Sequence, residues 1–121
     1  MIPVEVSQLL ARAVRSVWAL ELLLFLREHA LNSWSVDQLS VEQRSSRSVV
    51  HRAIPALIRE GLVREVDGAR YQYRAEGDID QLVASLEHLY KERPVTIVRA
   101  IVLASDDQIQ SLADAFKFRR D

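Results

Sequence analysis

The chain of 121 residues contains no cysteine. This absence excludes disulfide bonds, thiolate nucleophiles and zinc sites built on cysteine. Glycine and proline are also scarce, with three of each, so most of the chain is expected to form regular secondary structure. No apolar run approaches the roughly 18 residues that a transmembrane helix needs, and no internal repeat is visible. These absences predict one compact domain over residues 1–121, with no membrane partner.

The beginning of the chain, MIPVEVSQLL, lacks the features of a signal peptide. It has no basic segment and no small-residue cleavage site. Together with the absence of cysteine, this predicts a cytoplasmic protein.

Positive charge is concentrated in the middle of the chain, although the formal net charge is −1. Residues 41–75 contain seven arginines against four acidic residues, whereas the remainder contains nine basic and thirteen acidic residues. The basic residues of this middle region are all arginine, whose planar fork of donors matches phosphate groups and guanine edges. A solvated arginine-rich surface would have the same composition. The pattern therefore favours a nucleic-acid partner and leaves the solvated surface open.

Hydrophobic periodicity predicts a mainly α-helical chain. A single helix is expected over residues 7–30, and its apolar segment ALELLLFL indicates a helix that is central or lies at a subunit contact. Ser35 and Gln38 have the spacing of a capping box, which predicts a short helix from Val36 to about Gln43. We interpret Trp18 as a core residue and Trp34 as part of a hydrophobic staple at this cap.

The segment SSRSVVHRAIPALIREGLV predicts the next helix, over residues 45–60. Ser45 or Ser46 is a suitable N-cap, and Gly61 is expected to end the helix. Its two sides differ in character: Arg47, His51, Pro55 and Arg59 lie on one, and Val50, Ile54, Leu57 and Ile58 on the other. The aliphatic side is expected to be buried, and Pro55 is expected to bend the exposed side. The alternative is that the proline is tolerated in the helix and contributes nothing.

Two β-prone runs, LVREV and ARYQY, follow this helix and flank Asp67-Gly68. That dipeptide favours a two-residue type I′ turn, which would place Glu65 opposite Arg70. A pairing of opposite charges across the strands would stabilise this register. We therefore predict a small β-hairpin over residues 62–73.

The remaining residues predict two or three helices. Asp78 and Gln81 have capping-box spacing, and the helix that they open should end before Pro94. Residues 94–104 are rich in β-branched side chains but keep helical spacing, and we predict a helix there, with a strand as the alternative. Ser105 is predicted to cap the last helix.

The organisation of this chain resembles the winged helix-turn-helix domains of bacterial transcription regulators such as the MarR and ArsR groups. The family follows a loose pattern, S-R-S-x-V-x-R-A-L-x-x-L-x-x-x-G-L-V, and SRSVVHRAIPALIREGLV matches it from Ser46 to Val63 without a gap. The segment SVDQL corresponds to the preceding capped helix of the family, and the hairpin corresponds to its wing. The chain departs from the pattern at Gln43 and Arg44, where the family has an apolar residue and then glycine, and also at Pro55.

This resemblance implies a mainly α fold with a β-hairpin wing, in which residues 35–76 form the winged helix-turn-helix core. Residues 7–30 would add a helix before this core, and residues 77–121 would add helices after it. The third helix of such domains enters the major groove of double-stranded DNA. The positions implied as DNA contacts are Arg44, Ser46, Arg47, Ser48, His51, Arg52 and Arg70.

A transcription regulator of this kind is expected to act as a homodimer, because two-fold symmetry pairs the DNA-binding helices. Spare apolar surface on the first helix and in residues 94–116 is the predicted contact. The alternative is that these residues pack only within their own domain. We predict no catalytic residue, metal or cofactor, because the three histidines lack ligand spacing and no phosphate-binding or nucleophile motif occurs. Nothing identifies a small-molecule effector. The alternative interpretation is a winged helix that serves as a protein-interaction or scaffold module without binding DNA.

Overall fold

A computed structural model describes residues 2–104 of the chain. These residues form six helices and a three-stranded antiparallel sheet in the order β1-β3-β2. The helices are α1 (Val4–Ala13), α2 (Val17–Glu28), α3 (Val36–Glu42), α4 (Arg47–Arg59), α5 (Gly77–Glu92) and α6, which begins at 94 and is described as far as 104. The strands are β1 (Trp34–Ser35), β2 (Val63–Val66) and β3 (Arg70–Tyr73). The predicted class, mainly α-helical with a small hairpin, is confirmed.

The prediction of one helix over residues 7–30 is wrong, because two helices occupy this part of the chain. The break lies at Val14, which has an extended backbone with φ −118° and ψ 92°. Ser16 then caps α2, and its Oγ accepts a hydrogen bond from the backbone N–H of Ala19 at 3.1 Å. A serine side chain that satisfies a free amide at a helix start stabilises a new N-terminus there. The local cap therefore interrupts a continuous apolar pattern.

Helix α2 is the central element of the core. It packs against α4 and β3, and α1 packs against α4 and α5. The buried side chains of α2 cover slightly less than half of its circumference: Ala19, Leu20, Leu22, Leu23 and Leu26. The partly buried Leu24 and Phe25 pack against the core on either side of this arc. The all-round apolar character of ALELLLFL is thus explained by burial inside this domain.

Local capping positions α3 and α4 as predicted. The capping box is complete: Gln38 N–H donates to Ser35 Oγ at 3.2 Å, and Ser35 N–H donates to Gln38 Oε1 at 2.9 Å. Of the two serines proposed to cap α4, Ser46 does so, accepting from the N–H of Val49 at 3.1 Å. Both helix starts therefore depend on contacts within a single turn.

The hairpin is present, but its predicted register is wrong by one residue. Three residues form the loop, and all have left-handed backbones: Asp67 (φ 48°), Gly68 (φ 56°) and Ala69 (φ 69°). Val66 therefore lies opposite Arg70, and Glu65 lies opposite Tyr71.

Two features of the surrounding structure account for this register. It places the buried side chains of Val63 and Tyr73 opposite each other, and a one-residue slip would reverse the face of every side chain on one strand. Strand β1 also pairs with β3, with Trp34 opposite Tyr71 and Ser35 opposite Arg70. This short strand was not predicted, because it is only two residues long.

Helix α5 begins one residue before the predicted cap. Glu76 is its N-cap and makes no capping hydrogen bond through its side chain, so the predicted capping box of Asp78 and Gln81 is wrong. The predicted end is confirmed, since the helix stops at Glu92, just before Arg93-Pro94.

Asp80, in the first turn of α5, joins three elements of the fold. Its Oδ1 accepts a hydrogen bond from the Tyr73 hydroxyl of β3 at 2.7 Å and one from Arg27 Nε of α2 at 3.3 Å. Arg27 Nη1 also donates to Glu87 Oε1 of α5 at 3.2 Å. Burial and the hydrogen bond to Asp80 raise the pKa of Tyr73, so this hydroxyl keeps its proton as the donor. The network fixes α5 relative to the sheet.

The alternative of a strand at residues 94–104 is excluded, because these residues are helical and Pro94 is the first residue of α6. Ile97 and Ile101 of α6 are buried in the common core. The last predicted helix, opened by Ser105, lies outside the described residues. Within residues 2–104, no helix has the length and apolar character needed to cross a bilayer.

Candidate functional site

Helix α4 has one buried side and one solvent-exposed side. Val50, Ile54 and Leu57 are at most 5% exposed and attach the helix to the core. The opposite side consists of exposed residues, which we call the outer face of α4: Arg47, Ser48, His51, Arg52 and Pro55. This division agrees with the predicted amphipathic pattern except at Ile58, which was expected on the buried side and is 41% exposed. The outer face presents two guanidinium groups and an imidazole to the surroundings.

The positive groups of the outer face differ in how they are held. Arg47 Nε lies 2.8 Å from Asp37 Oδ1 of α3, and both side chains are highly exposed, at 67% and 71%. Arg52 and His51 make no hydrogen bond or ion pair with another residue in the described part of the chain. The outer face of α4 therefore contains Arg47, which is in a solvated ion pair, and Arg52 and His51, whose N–H donors are available to a ligand.

The connection between α3 and α4 contains a strained residue. Arg44 is exposed and has φ 52°, a left-handed conformation that costs a non-glycine residue about 1–2 kcal/mol. Glycine adopts this backbone conformation most readily, so the turn holds Arg44 in a conformation that favours glycine. Hydrogen bonds on either side hold the turn, from Arg44 N–H to Val41 O and from Ser45 N–H to Ser40 O. Residues held in such conformations concentrate at functional sites.

Two further predicted contacts lie at the start of α4. Ser46 uses its hydroxyl oxygen as the N-cap, so this oxygen serves the helix itself as an acceptor. Ser48 is exposed, one residue inside the helix. Both hydroxyls thus lie at the positive end of the α4 dipole, which favours an anionic ligand.

Arg70 is placed differently from the other predicted contacts. It is half-buried, and its guanidinium donates to Ser33 Oγ at 3.0 Å and to Ser33 O at 2.7 Å. The expected pairing with Glu65 is wrong, because the shifted register places Tyr71 opposite that carboxylate, with its hydroxyl 3.4 Å from Glu65 Oε1. Arg70 therefore holds the hairpin against the residues before β1.

Pro55 lies within α4, which continues from Arg47 to Arg59. It has no N–H to donate to the carbonyl of His51, so that acceptor loses its usual helical partner. A groove of about 400 Å³ lies beside it, with Ile58 and Tyr71 among its lining residues. The outer face is thus partly apolar towards the hairpin.

Two more arginines of the middle region make intramolecular contacts. Arg59 Nη2 donates to the carbonyl of Arg12 at 2.8 Å, and Arg59 Nε lies 3.2 Å from Glu60 Oε2. Arg64 Nη2 donates to Gln72 Oε1 at 3.3 Å.

Several residues that matter to the site were missed or misplaced by sequence reasoning. Asp37 was not singled out as the partner of Arg47, and Ser33 was not singled out as the partner of Arg70. Trp18, predicted in the core, is 48% exposed. Arg15 and Ser16, just before it in this part of the chain, are also exposed, and Ser16 caps α2.

The histidines are separated. His29 packs against Phe25 and Trp34 with ring centroids 4.5 Å and 5.6 Å away, while His88 lies beside Glu92. Among residues 2–104, no group of three or more histidine or acidic side chains could hold a metal ion. No protein-family model, curated protein or solved structure matches this chain.

Proposed function

We propose that this chain is a sequence-specific DNA-binding transcription regulator with a winged helix-turn-helix, which inserts α4 into the major groove of double-stranded DNA. In this proposal α3 and α4 form the helix-turn-helix, and the hairpin of β2 and β3 forms the wing. The observation that carries it is the outer face of α4, where cationic side chains project from a helix whose other side is anchored in the core.

The dimensions and the chemistry of α4 suit a DNA groove. Its 13 residues give a rod about 20 Å long, and the major groove, about 12 Å wide, accepts one α-helix. Arg47 and Arg52 are the candidates for guanine O6 and N7, because a guanidinium can donate to both atoms at once. Ser48 and the first amides of α4 suit a phosphate, and Arg44 in the turn suits the flanking backbone.

Arg70 has a different role in this proposal. A DNA contact would compete with its two hydrogen bonds to Ser33, so its contribution is to fix the wing. The contacts are then provided by α4 and by the turn before it.

A homodimer would present two such helices to one duplex. Exposed apolar residues on α1 and α6 support the predicted dimer contact: Val4, Val95, Val102 and Leu103. Sedimentation equilibrium over a concentration series tests this part of the proposal, which a monomer at all concentrations would refute.

The DNA-binding proposal is tested by fluorescence anisotropy with a mixed-sequence duplex. If a dimer neutralises about six to ten phosphates, its affinity should fall about 10³- to 10⁵-fold between 50 and 200 mM salt. Arg47→Ala and Arg52→Ala should each weaken binding about tenfold or more. The matched control is Arg74→Ala, which removes the same charge from an exposed residue at the end of β3 away from the wing tip.

A specific result would reject this function. Unchanged binding in both Arg47→Ala and Arg52→Ala, with unfolding transitions like that of the wild type, would remove α4 as the DNA-binding element.

A protein-interaction module is the second candidate, and two observations favour it. The carboxylate of Asp37 at 2.8 Å from Arg47 demonstrates that the start of α4 accepts an acidic group, and the groove beside Pro55 and Ile58 is apolar. An acidic peptide with an apolar anchor would suit both features. Binding of such a peptide, together with no salt-dependent affinity for duplex DNA, would select this candidate.

A further inference from the structure

A groove lies along the side of α2 that is turned away from the core. It consists of two adjoining hollows of about 530 Å³ and 560 Å³, which share Glu21 and Gln43. Its lining on α2 runs from Val17 to Glu28, α5 contributes to the first hollow, and the end of α3 contributes to the second. We call this surface the α2 groove.

The floor of the α2 groove is apolar and partly aromatic. Leu24 and Phe25 are partly buried against the core, and Tyr90 of α5 lines the same hollow. Trp18 lines the other hollow and is 48% exposed. An apolar patch with polar residues at its rim is typical of an interaction site, and large aromatic side chains contribute most to such contacts.

Acidic side chains surround this floor. Helices α2 and α5 together have six carboxylates and two basic side chains, a net charge of −4 with histidine neutral. Arg27 is already paired with two carboxylates of α5. Glu28 and Glu42 line the groove and make no hydrogen bond or ion pair with another residue from 2 to 104. Arg44 and Lys91 also line it, but carboxylates outnumber cations on the two helices.

The sequence contains a segment of complementary composition. Residues 117–120 read KFRR, which gives three cations and one phenylalanine within four residues. They belong to residues 105–121, which lie outside the described part of the chain. Cations suit the carboxylates of the groove, and a cation beside the exposed indole of Trp18 would also be attracted to the ring face.

The connection is long enough for this segment to reach the groove. Lys91 lines the groove in the last turn of α5, and α6 begins three residues later. Residue 104 lies within about 30 Å of Lys91, because α6 rises about 1.5 Å per residue. Residues 105–116 can span about 40 Å when extended. A ligand on such a connection has an effective concentration of about 1 mM, so it competes well with the same segment of another copy.

From these observations we propose that residues 117–120 bind in the α2 groove of the same molecule. Phe118 packs on the apolar floor, and the flanking cations pair with Glu28 and Glu42. The contact covers an exposed aromatic surface and places positive charge beside carboxylates that have no partner among residues 2–104. It does not depend on DNA binding, and neither does its test.

A single spin label can locate the segment in the full chain. Because the chain has no cysteine, Asp121→Cys provides one thiol for a nitroxide, directly after the segment. In isotope-labelled protein, the oxidised label should weaken the amide signals of the groove, including those of Trp18, Leu24 and Glu28, relative to the reduced label. The amide of Gly68, which does not line the groove, should keep its intensity.

A mixed sample separates this arrangement from binding between copies. It combines isotope-labelled chain that has no spin label with spin-labelled chain that has no isotope. Loss of the groove signals in this sample would show that the segment binds another molecule, and it would overturn the intramolecular proposal. Absence of selective loss in the chain that carries both labels would overturn it as well.

Variants test the chemistry of the contact. Replacing Lys117, Arg119 and Arg120 together by serine should restore the groove signals of the spin-labelled chain, and Glu28→Gln should restore them in part. The matched control is Glu5→Gln, an exposed acid on α1 that does not line the groove. Undiminished signal loss in the triple variant, or equal recovery in Glu5→Gln and Glu28→Gln, would refute the pairing of charges.

A peptide titration tests whether the groove is occupied in the unmodified chain. The synthetic peptide AFKFRRD should shift the groove amides of the triple serine variant, whose own segment no longer competes. Its binding to the unmodified chain should be about tenfold weaker or more, because the tethered segment holds the site. Equal affinity for the two chains, or no binding to the triple variant, would contradict the proposal.

Discussion

The ion pair between Asp37 and Arg47 leads to a prediction in which stability and DNA affinity change in opposite directions. The substitution Asp37→Asn removes one carboxylate charge 2.8 Å from Arg47 Nε. In the proposed complex, Arg47 must leave Asp37 before it contacts a base or a phosphate. Because the two side chains are 67% and 71% exposed, the pair is worth about 0.2–1 kcal/mol.

The size of the effect follows from that value. Because Asp37→Asn has no ion pair to break when it binds DNA, its DNA affinity should rise about 1.4- to 5-fold if one α4 binds. The rise should be about 2- to 30-fold for a dimer that inserts two α4 helices. The folded state should lose the same pair and also the favourable position of Asp37 in the first turn of α3, worth about 0.3–1 kcal/mol. The free energy of unfolding should therefore fall by less than about 2 kcal/mol.

Fluorescence anisotropy with duplex DNA and denaturant unfolding measure the two effects. Asp78→Asn is the matched control, since Asp78 is an exposed acid in the first turn of α5 with no ion pair to another described residue. It has the same change of charge and the same position relative to a helix dipole, but it lies outside the α3–α4 pair. Equal or weaker DNA binding by Asp37→Asn, or an equal gain in Asp78→Asn, would refute the assignment of Arg47.

Three further predictions concern the scaffold of the site. Leu57→Ala should lower the free energy of unfolding by about 2–5 kcal/mol, because Leu57 is fully buried where α4 meets the core, and a loss under about 1 kcal/mol in a urea titration would contradict this packing. Ser35→Ala should cost about 0.5–2 kcal/mol in the same assay, since it removes the cap of α3, and an unchanged midpoint would show that the capping box adds no stability. The pKa of Tyr90 is raised to about 12 by its hydrogen bond to Glu21 Oε1 at 2.6 Å and by burial, so this stabilisation is present below pH 10 and is lost as the pH rises towards 12. Glu21→Gln should lower the pKa of Tyr90 towards 10 in an ultraviolet titration, and an unchanged value would rule out the hydrogen bond as its main cause.

Features that depend on neighbours within one helical turn were predictable. Each cap of α3 and α4 requires only a serine hydroxyl that accepts a hydrogen bond from the backbone N–H three residues later. Ser35 accepts from Gln38, and Ser46 accepts from Val49. The spacing of Val50, Ile54 and Leu57 likewise determined which side of α4 is buried, and hence which side is offered to a partner.

Features that depend on competition between local signals were harder to predict. At the α1–α2 break, the cap at Ser16 favours a new helix, whereas the apolar pattern that continues through it favours one unbroken helix. The sequence pattern does not decide between these two outcomes. At the hairpin tip, Asp67-Gly68 is compatible with loops of two or three residues. The pairing of β1 with β3 and the burial of Tyr73 favour the longer loop.

The amino-acid sequence by itself determined the helical class, the limits of α3 and α4, and the composition of the outer face of α4, because periodicity and capping act over three or four residues. Tertiary structure alone decided which of these charged groups are paired. Arg70 meets Ser33 across 37 residues of chain, and Arg47 meets Asp37 only because α3 packs on α4.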